Sequence, residues 1–96
     1  MRPSVVFERE RSTIRETVGR FHVRNPRVFG SVLHGTDQDN SNLDLLVDPL
    51  PGATLFDLSE LEEELKLRLG ITVQVLTPGD LSLRLRADVL AEAQPV

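Results

Sequence analysis

The sequence predicts a single α+β domain, α/β-like in the order of its elements, in which helices flank a small mixed β-sheet. Short apolar runs typical of strands alternate with longer segments whose apolar residues recur at helical spacing. Turn and cap residues separate these segments. The chain has 96 residues, of which 40% are hydrophobic and 27% charged, and this is enough for one buried core. We therefore expect one domain over residues 1–96.

The first half of the chain predicts one helix and two strands. Apolar residues recur at helical spacing over residues 6–21, which predicts a long opening helix. Asn25-Pro26 is expected to end this helix, and residues 27–29 are expected to begin a short strand. A second strand is expected over residues 43–47, because this apolar run lies between a polar loop and a turn rich in proline and glycine.

The second half predicts a long helix, a strand and a final helix. Thr54 is expected to cap the long helix with Asp57 in the capping-box position, and Gly70 is expected to end it. Its buried stripe should consist of Leu55, Leu58, Leu61, Leu65 and Leu69. A strand over residues 71–76 leads to Thr77, which is expected to cap the last helix. The inward residues of that helix should be Leu81, Leu85 and Val89.

Composition narrows the classes of function. The formal net charge is −4 and the chain has no Trp or Tyr. We expect no direct contact with nucleic acid, which proteins bind through clustered Lys and Arg and through stacked aromatic rings. No apolar run is long enough to span a membrane, and no signal peptide is recognisable. With no cysteine there is no thiol nucleophile or disulfide framework, and a cytoplasmic location is the expectation.

Residues 28–48, VFGSVLHGTDQDNSNLDLLVD, contain the densest group of candidate functional residues. A strand leads into the Gly30-Ser31 turn, where a glycine lets a ligand approach the backbone and a serine hydroxyl can bind a phosphate. In the next strand side chains alternate between faces, so Asn42 and Asp44 should project to the same side. A neighbouring strand can bring Gln74 beside them. Clusters of this kind hold two Mg²⁺ ions in nucleotidyl transfer when they consist of carboxylates.

The segment PRVFGSVLHGTDQDNSNLDLLVD resembles the signature of nucleotidyltransferases, a Gly-Ser followed about a dozen residues later by Asp-x-Asp. Nearly the whole chain, including ITVQVLTPGDLSLRLRADVLAEAQPV, resembles the minimal nucleotidyltransferases (MNT proteins), a branch of the DNA polymerase β superfamily. Members often pair as antitoxins with HEPN-domain toxins, and some transfer AMP from ATP to a tyrosine of that partner. The resemblance implies a nucleotidyltransferase-type core, ATP as substrate or ligand, Mg²⁺ as cofactor and a HEPN-type toxin as partner.

Residue by residue, the resemblance assigns nucleotide binding to Gly30 and Ser31, and metal binding to Asp44 as the second Asp of the pair. The first Asp falls on Asn42, and the third carboxylate, on the later strand, falls on Gln74. The predicted catalytic set is therefore Asp44, Asn42 and Gln74. Amide oxygens bind Mg²⁺ weakly compared with carboxylates. We expect a loss of several kcal/mol in transition-state stabilisation, or at least about 10³-fold in rate.

Two main classes of function follow. In the first, the protein transfers AMP from ATP to a hydroxyl of a HEPN-type toxin, with impaired catalysis. In the second, it is a non-catalytic antitoxin or nucleotide-binding module that neutralises a HEPN ribonuclease by direct binding. A nucleotide sensor without a toxin is a third interpretation. Asp44 also has a plainer interpretation as a solvated strand residue, although an acid in an apolar run usually needs a partner or a metal.

The length of the chain bears on where the acceptor binds. Ninety-six residues provide a nucleotide-binding sheet but little room for a second substrate. The acceptor surface is then expected to come from a partner protein or from a second copy of this chain. Leu50, Leu55 and Phe56 are the candidate contacts, because apolar residues in an exposed segment often mark an interface. His34, just after the Gly-Ser turn, could face a phosphate, but a single loop histidine is more often incidental.

Overall fold

The computed structural model describes residues 1–96 and confirms an α+β fold with a small mixed sheet. The helices are α1 Pro3–Arg9, α2 Arg11–Val18, α3 Gly30–His34, α4 Leu55–Leu69 and α5 Leu83–Glu92, with a 3₁₀ turn over Pro78–Asp80. The strands are β1 Val23–Phe29, β2 Leu43–Pro49, β3 Val73–Leu76 and β4 Gln94–Pro95. Their order in the sheet is β3-β2-β1-β4. β1 is antiparallel to both β2 and β4, whereas β3 is parallel to β2.

The core lies against one face of this sheet. Alternate residues of the central strand β2, Leu43, Leu45 and Val47, are fully buried in a cluster with apolar residues of α1, α2 and α4. Because strand side chains alternate, Asp44 and Asp48 project to the opposite face. Asp44 therefore comes from the most buried strand of the fold but points away from its core.

Two predictions about the first half of the chain are wrong in detail. The opening helix is two helices that meet at Glu10, which leaves the helical conformation at φ −115° and ψ 24°. Asn25-Pro26 does not precede the first strand but lies within it. The register between β1 and β2 shifts at this point, and Asn25 has a φ of 57°. Such an irregularity accommodates a proline that cannot donate to the ladder.

The long helix α4 has the predicted ends. Thr54 accepts from the backbone of Asp57, the Asp57 carboxylate accepts from the backbone of Thr54, and Gly70 follows with a φ of 71°. The stripe is buried only in part. Leu61 and Leu65 are fully buried and Leu58 and Leu69 partly, but Leu55 is 77% exposed, so the buried stripe begins at Leu58.

The last helix starts later than predicted and packs less closely. Thr77 caps a 3₁₀ turn, and α5 begins only after Ser82, whose hydroxyl accepts from the backbone of Leu85. No residue of α5 is fully buried, and Leu85, predicted to face inward, is 55% exposed. No helix of the fold is long and apolar enough to cross a membrane.

A buried carboxylate joins the chain's start to the loop before β2. The side chain of Asp37 is fully buried and accepts from the backbone N–H of Ser4 at 2.8 Å and from the Arg2 guanidinium at 2.9 Å. Burial alone would raise the pKa of Asp37, but these two partners outweigh it and hold the pKa below its ordinary value of 3.8. This contact fixes the loop that leads to Asn42.

The low pKa of Asp37 gives a stability change with pH. Its contribution is fully present above the unfolded value of 3.8 and is lost as the pH falls through the lower folded value. We expect Asp37→Asn to lower the melting temperature at neutral pH, and the difference from the natural protein to vanish in strong acid. Thermal unfolding followed by circular dichroism over that pH range measures it. Asp39→Asn, at a side chain 83% exposed, is the control and should change little.

Candidate functional site

The sheet brings Asp44, Gln74 and Gly30 together on the side away from the main core cluster. Asp44 pairs in register with Phe29 of β1 on one side and with Gln74 of β3 on the other. Gly30 directly follows Phe29, so the Gly-Ser turn begins beside Asp44. The juxtaposition expected for Asp44 and Gln74 from strand alternation is thus present, since paired positions on neighbouring strands lie about 4.8 Å apart.

Gly30 is in direct contact with Asp44. Its φ is +74°, and a Cβ at this position would overlap the Asp44 Oδ2 atom and lie 3.3 Å from Cγ. The glycine is therefore needed twice, for its backbone conformation and because the carboxylate occupies the space of a side chain. The sequence predicted a glycine here for close approach of a ligand to the backbone, but neither its left-handed conformation nor its contact with Asp44.

The contact between Gly30 and Asp44 can be tested with a pair of glycine variants. Gly30→Ala should lower stability by about 1–2 kcal/mol from left-handed strain. Its Cβ also has no room beside the Asp44 carboxylate, so the phosphate-binding turn must shift and nucleotide binding should be lost. Gly70→Ala carries the same strain at a φ of +71°, with nothing within 4 Å of its Cβ, and should leave nucleotide binding intact. Chemical denaturation and ATP titration of both variants separate the two effects. Equal binding by the two would contradict a role for the contact.

The polar groups around Asp44 are free of other contacts. Asn42 and Gln74 are exposed, Ser31 is half-buried, and none of these three side chains makes a hydrogen bond within the molecule. Asn42 precedes β2 by one residue, and the backbone N–H of Leu43 donates to Thr72 at 2.9 Å, which extends the ladder toward Asn42. Donors and acceptors of the site are therefore available to a ligand.

Asp44 is the only acid among these groups and has no partner of its own. It makes no ion pair or hydrogen bond, and burial raises the pKa of its carboxyl above the ordinary value. A carboxylate held in this way gains from any cation or hydrogen-bond donor that a ligand supplies.

The residues present do not fit a pair of magnesium ions. No group of three or more Asp, Glu, His or Cys residues is placed to hold a metal, and the site offers one carboxylate with two neutral amide oxygens. Asp48 does not compensate, because it accepts from Arg27 at 2.6 Å and from Asn25 at 3.0 Å. It also lies four residues along β2 from Asp44, about 13 Å away. Two divalent ions normally need several anionic oxygens between them.

Two polar side chains outside this group, His34 and Arg86, have their contacts elsewhere in the fold. His34 lies 3.0 Å from Glu92 and joins the end of α3 to the end of α5. The Arg86 guanidinium donates to the backbone of Pro78 and Leu81, so it braces the start of α5. Both residues act within the fold as the structure stands.

Large apolar side chains are exposed at the starts of two helices. Leu55 and Phe56, at the start of α4, are 77% and 79% exposed, whereas Leu50 is half-buried. Leu83 and Leu85, at the start of α5, are 79% and 55% exposed. Leu85 was predicted to face inward because it lies four residues from both Leu81 and Val89, which is the spacing of a buried stripe.

Known proteins with similar sequences and structures include adenylyltransferases. No protein-family model matches the chain. It is 37% identical over 73 residues to the protein adenylyltransferase MntA of Thermococcus cleftensis, which covers 76% of this chain and 74% of that protein. A solved structure of a candidate minimal nucleotidyltransferase superimposes with a TM-score of 0.86 and 35% identity, over 97% of this chain and 95% of the other.

Two toxin–antitoxin complexes share the fold at lower identity. One, solved with AMP-PNP, matches with a TM-score of 0.75 and 21% identity over 88% of this chain and 69% of the other. The other, MntA–HepT, matches with a TM-score of 0.62 and 16% identity over 95% of this chain and 68% of the other. At these identities the likeness establishes the architecture alone.

Proposed function

This chain belongs to the minimal nucleotidyltransferase family that includes the adenylyltransferase MntA, and from that premise we propose that it is the nucleotide-binding antitoxin partner of a HEPN-type toxin. In this proposal it transfers AMP from ATP to a hydroxyl of that toxin, with impaired catalysis. The observation that carries the proposal is the packing of Gly30 against Asp44, with Gln74 in register beside them. The Gly-Ser turn is present, but amides stand at two of the three positions where metal-binding carboxylates are expected.

The residues of the site take the following roles in this proposal. Gly30 and Ser31 hold the phosphates of ATP, the first by close approach of its backbone and the second through its hydroxyl. Asp44 is the remaining acid of the catalytic set, and Asn42 and Gln74 contribute neutral oxygens and amide donors. In AMP transfer, the acceptor oxygen bonds to the α-phosphorus as the bond to pyrophosphate breaks. The developing charge is then stabilised poorly, which gives slow turnover.

The partner is proposed from relatives and from the exposed apolar surface together. One solved structure with this fold is a toxin–antitoxin complex, MntA–HepT. In the present chain, Leu55, Phe56, Leu83 and Leu85 are exposed, and large apolar side chains exposed on a small protein are candidates for a protein interface. A reaction that consumes ATP on such a partner belongs in the cytoplasm.

A second candidate function is neutralisation of the toxin by contact alone. The donor set that does not fit two magnesium ions favours this reading, since direct binding needs no chemistry at Asp44. The two functions share the fold and the partner and differ only in whether AMP is transferred.

The test needs a HEPN candidate, which is sought among the products of neighbouring genes as a small helical protein with an arginine and a histidine a few residues apart. Binding, inhibition of its ribonuclease activity and labelling from α-labelled ATP are measured together. We expect binding and inhibition with weak labelling. Labelling at a rate typical of enzymes would overturn the impairment, and absence of binding would overturn the partnership.

The apolar surface gives a variant test of the same partnership. Phe56→Glu and Leu83→Glu should each weaken partner binding by at least tenfold, because truncation or reversal of a buried apolar anchor typically costs about 1.4 kcal/mol or more. Leu67→Glu, at an equally exposed leucine on α4, is the matched control. Isothermal titration of each variant against the partner measures the change. Unchanged binding by the first two places the interface elsewhere.

A further inference from the structure

The site differs from a metal-dependent nucleotide site in the charge that it presents. We propose that it binds a nucleoside triphosphate as the free polyanion, without a divalent metal, and that the amides of Asn42 and Gln74 make this possible. The proposal rests on the proposed function, because it concerns the same nucleotide site, and it names the form of the ligand.

The electrostatics of the site favour binding without a metal. A triphosphate and a cluster of three carboxylates repel each other, and a divalent ion between them is what makes binding favourable. Here the residue in register with Asp44 is Gln74, and the residue two positions before it is Asn42. Two of the three repelling charges are therefore absent, and the ligand no longer needs metal ions to offset them.

The two amides also supply hydrogen-bond donors for the phosphates. A carboxylate is only an acceptor, whereas an amide also carries two N–H donors that phosphate oxygens can accept. The amides of Asn42 and Gln74 and the hydroxyl of Ser31 are bound to no other group in the protein. Their donors can turn toward a phosphate without breaking an existing bond.

The acids on either side of the site in the sequence are paired with arginines. Asp37, in the loop before Asn42, is paired with Arg2, and Asp48, farther along β2, is paired with Arg27. Asp44 is then the one uncompensated anion of the site. The site therefore presents one negative charge in place of the three expected for a two-metal site, which lowers its repulsion of an anionic ligand that arrives without its own metal.

Titration calorimetry of the full chain with ATP, once in EDTA and once in excess Mg²⁺, tests the proposal. We expect the two dissociation constants to agree within about threefold. Asn42→Asp/Gln74→Asp should weaken binding at least tenfold in EDTA and recover it in Mg²⁺. A control with the same change of charge, Gln38→Glu/Gln94→Glu, alters two exposed amides outside the site and should behave as the natural protein.

Asp44→Asn should give opposite results at a site free of metal and at a site that holds the nucleotide through a metal. If the site is free of metal, removal of its last negative charge should leave ATP binding in EDTA unchanged or tighter. If a metal bound to Asp44 holds the nucleotide, the same exchange should abolish binding in Mg²⁺.

Each remaining result counts against one part of the reasoning. Binding of ATP only in Mg²⁺ overturns metal-free binding but leaves the proposed nucleotide site in place. Equal binding in EDTA by the natural protein and by Asn42→Asp/Gln74→Asp shows that the amides are not the cause, and overturns the inference. Absence of ATP binding in both conditions overturns the nucleotide part of the proposed function and the inference with it.

Discussion

Restoring the missing acids with Asn42→Asp/Gln74→Asp is expected to raise AMP transfer to the HEPN-type partner by at least about 10³-fold in Mg²⁺. Position 74 is in register with Asp44 across parallel strands, so an acid there lies directly beside it. Position 42 lies two residues before Asp44, so an acid there is about 7 Å away along the chain. The three oxygens then form the anionic set that two magnesium ions require.

Label transfer from α-labelled ATP measures this gain, with the natural protein, the restored variant and Gln38→Glu/Gln94→Glu in parallel. The restored variant should also gain thermal stability from Mg²⁺, because a bound metal stabilises the folded state and relieves repulsion among its acids. The natural protein and the control should not gain it. Equal labelling by the natural and restored proteins would show that Asn42 and Gln74 already support catalysis.

A large loss of stability is expected from Leu65→Ala on the buried side of α4. Leu65 is fully buried in the core cluster with β2 and α2, and truncation of such a leucine leaves a cavity. The free energy of unfolding should fall by about 2–5 kcal/mol, a large fraction of the stability of a domain of this size.

Leu67→Ala provides the comparison for Leu65→Ala on the same helix. Leu67 is 80% exposed, so the same truncation removes no packing, and the change should stay within about 0.5 kcal/mol. Urea unfolding of the two variants under one set of conditions gives both values. A similar loss at the two positions would mean that α4 packs through a different face in solution.

The sequence was most informative where structure depends on neighbours in the chain. Thr54, Asp57 and Gly70 predicted both ends of α4, because a cap is made by residues three positions apart and a left-handed glycine acts on its own turn. The alternation of strand side chains likewise predicted that Asp44 faces away from Leu43 and Leu45.

Predictions failed where the outcome depends on distant residues. Asn25-Pro26 was expected to precede the strand, but pairing with β2 extends the strand through an irregular step. Leu55 has the spacing of a buried leucine but is 77% exposed, whereas Leu58, one turn later, packs against the core. Local patterns contain no information on which surfaces a neighbouring element covers.

The candidate site likewise has features that depend on the sequence alone and features that depend on distant residues. The sequence by itself determined its chemistry: a glycine-serine turn, one acid at Asp44, and amides at Asn42 and Gln74 where acids are expected. Only the tertiary structure decided that Gln74 lies in register with Asp44, that the carboxylate fills the space beside Gly30, and that Asp48 is held by Arg27. Strand pairing and side-chain packing join residues far apart in the chain, so these contacts exist only once the sheet has formed.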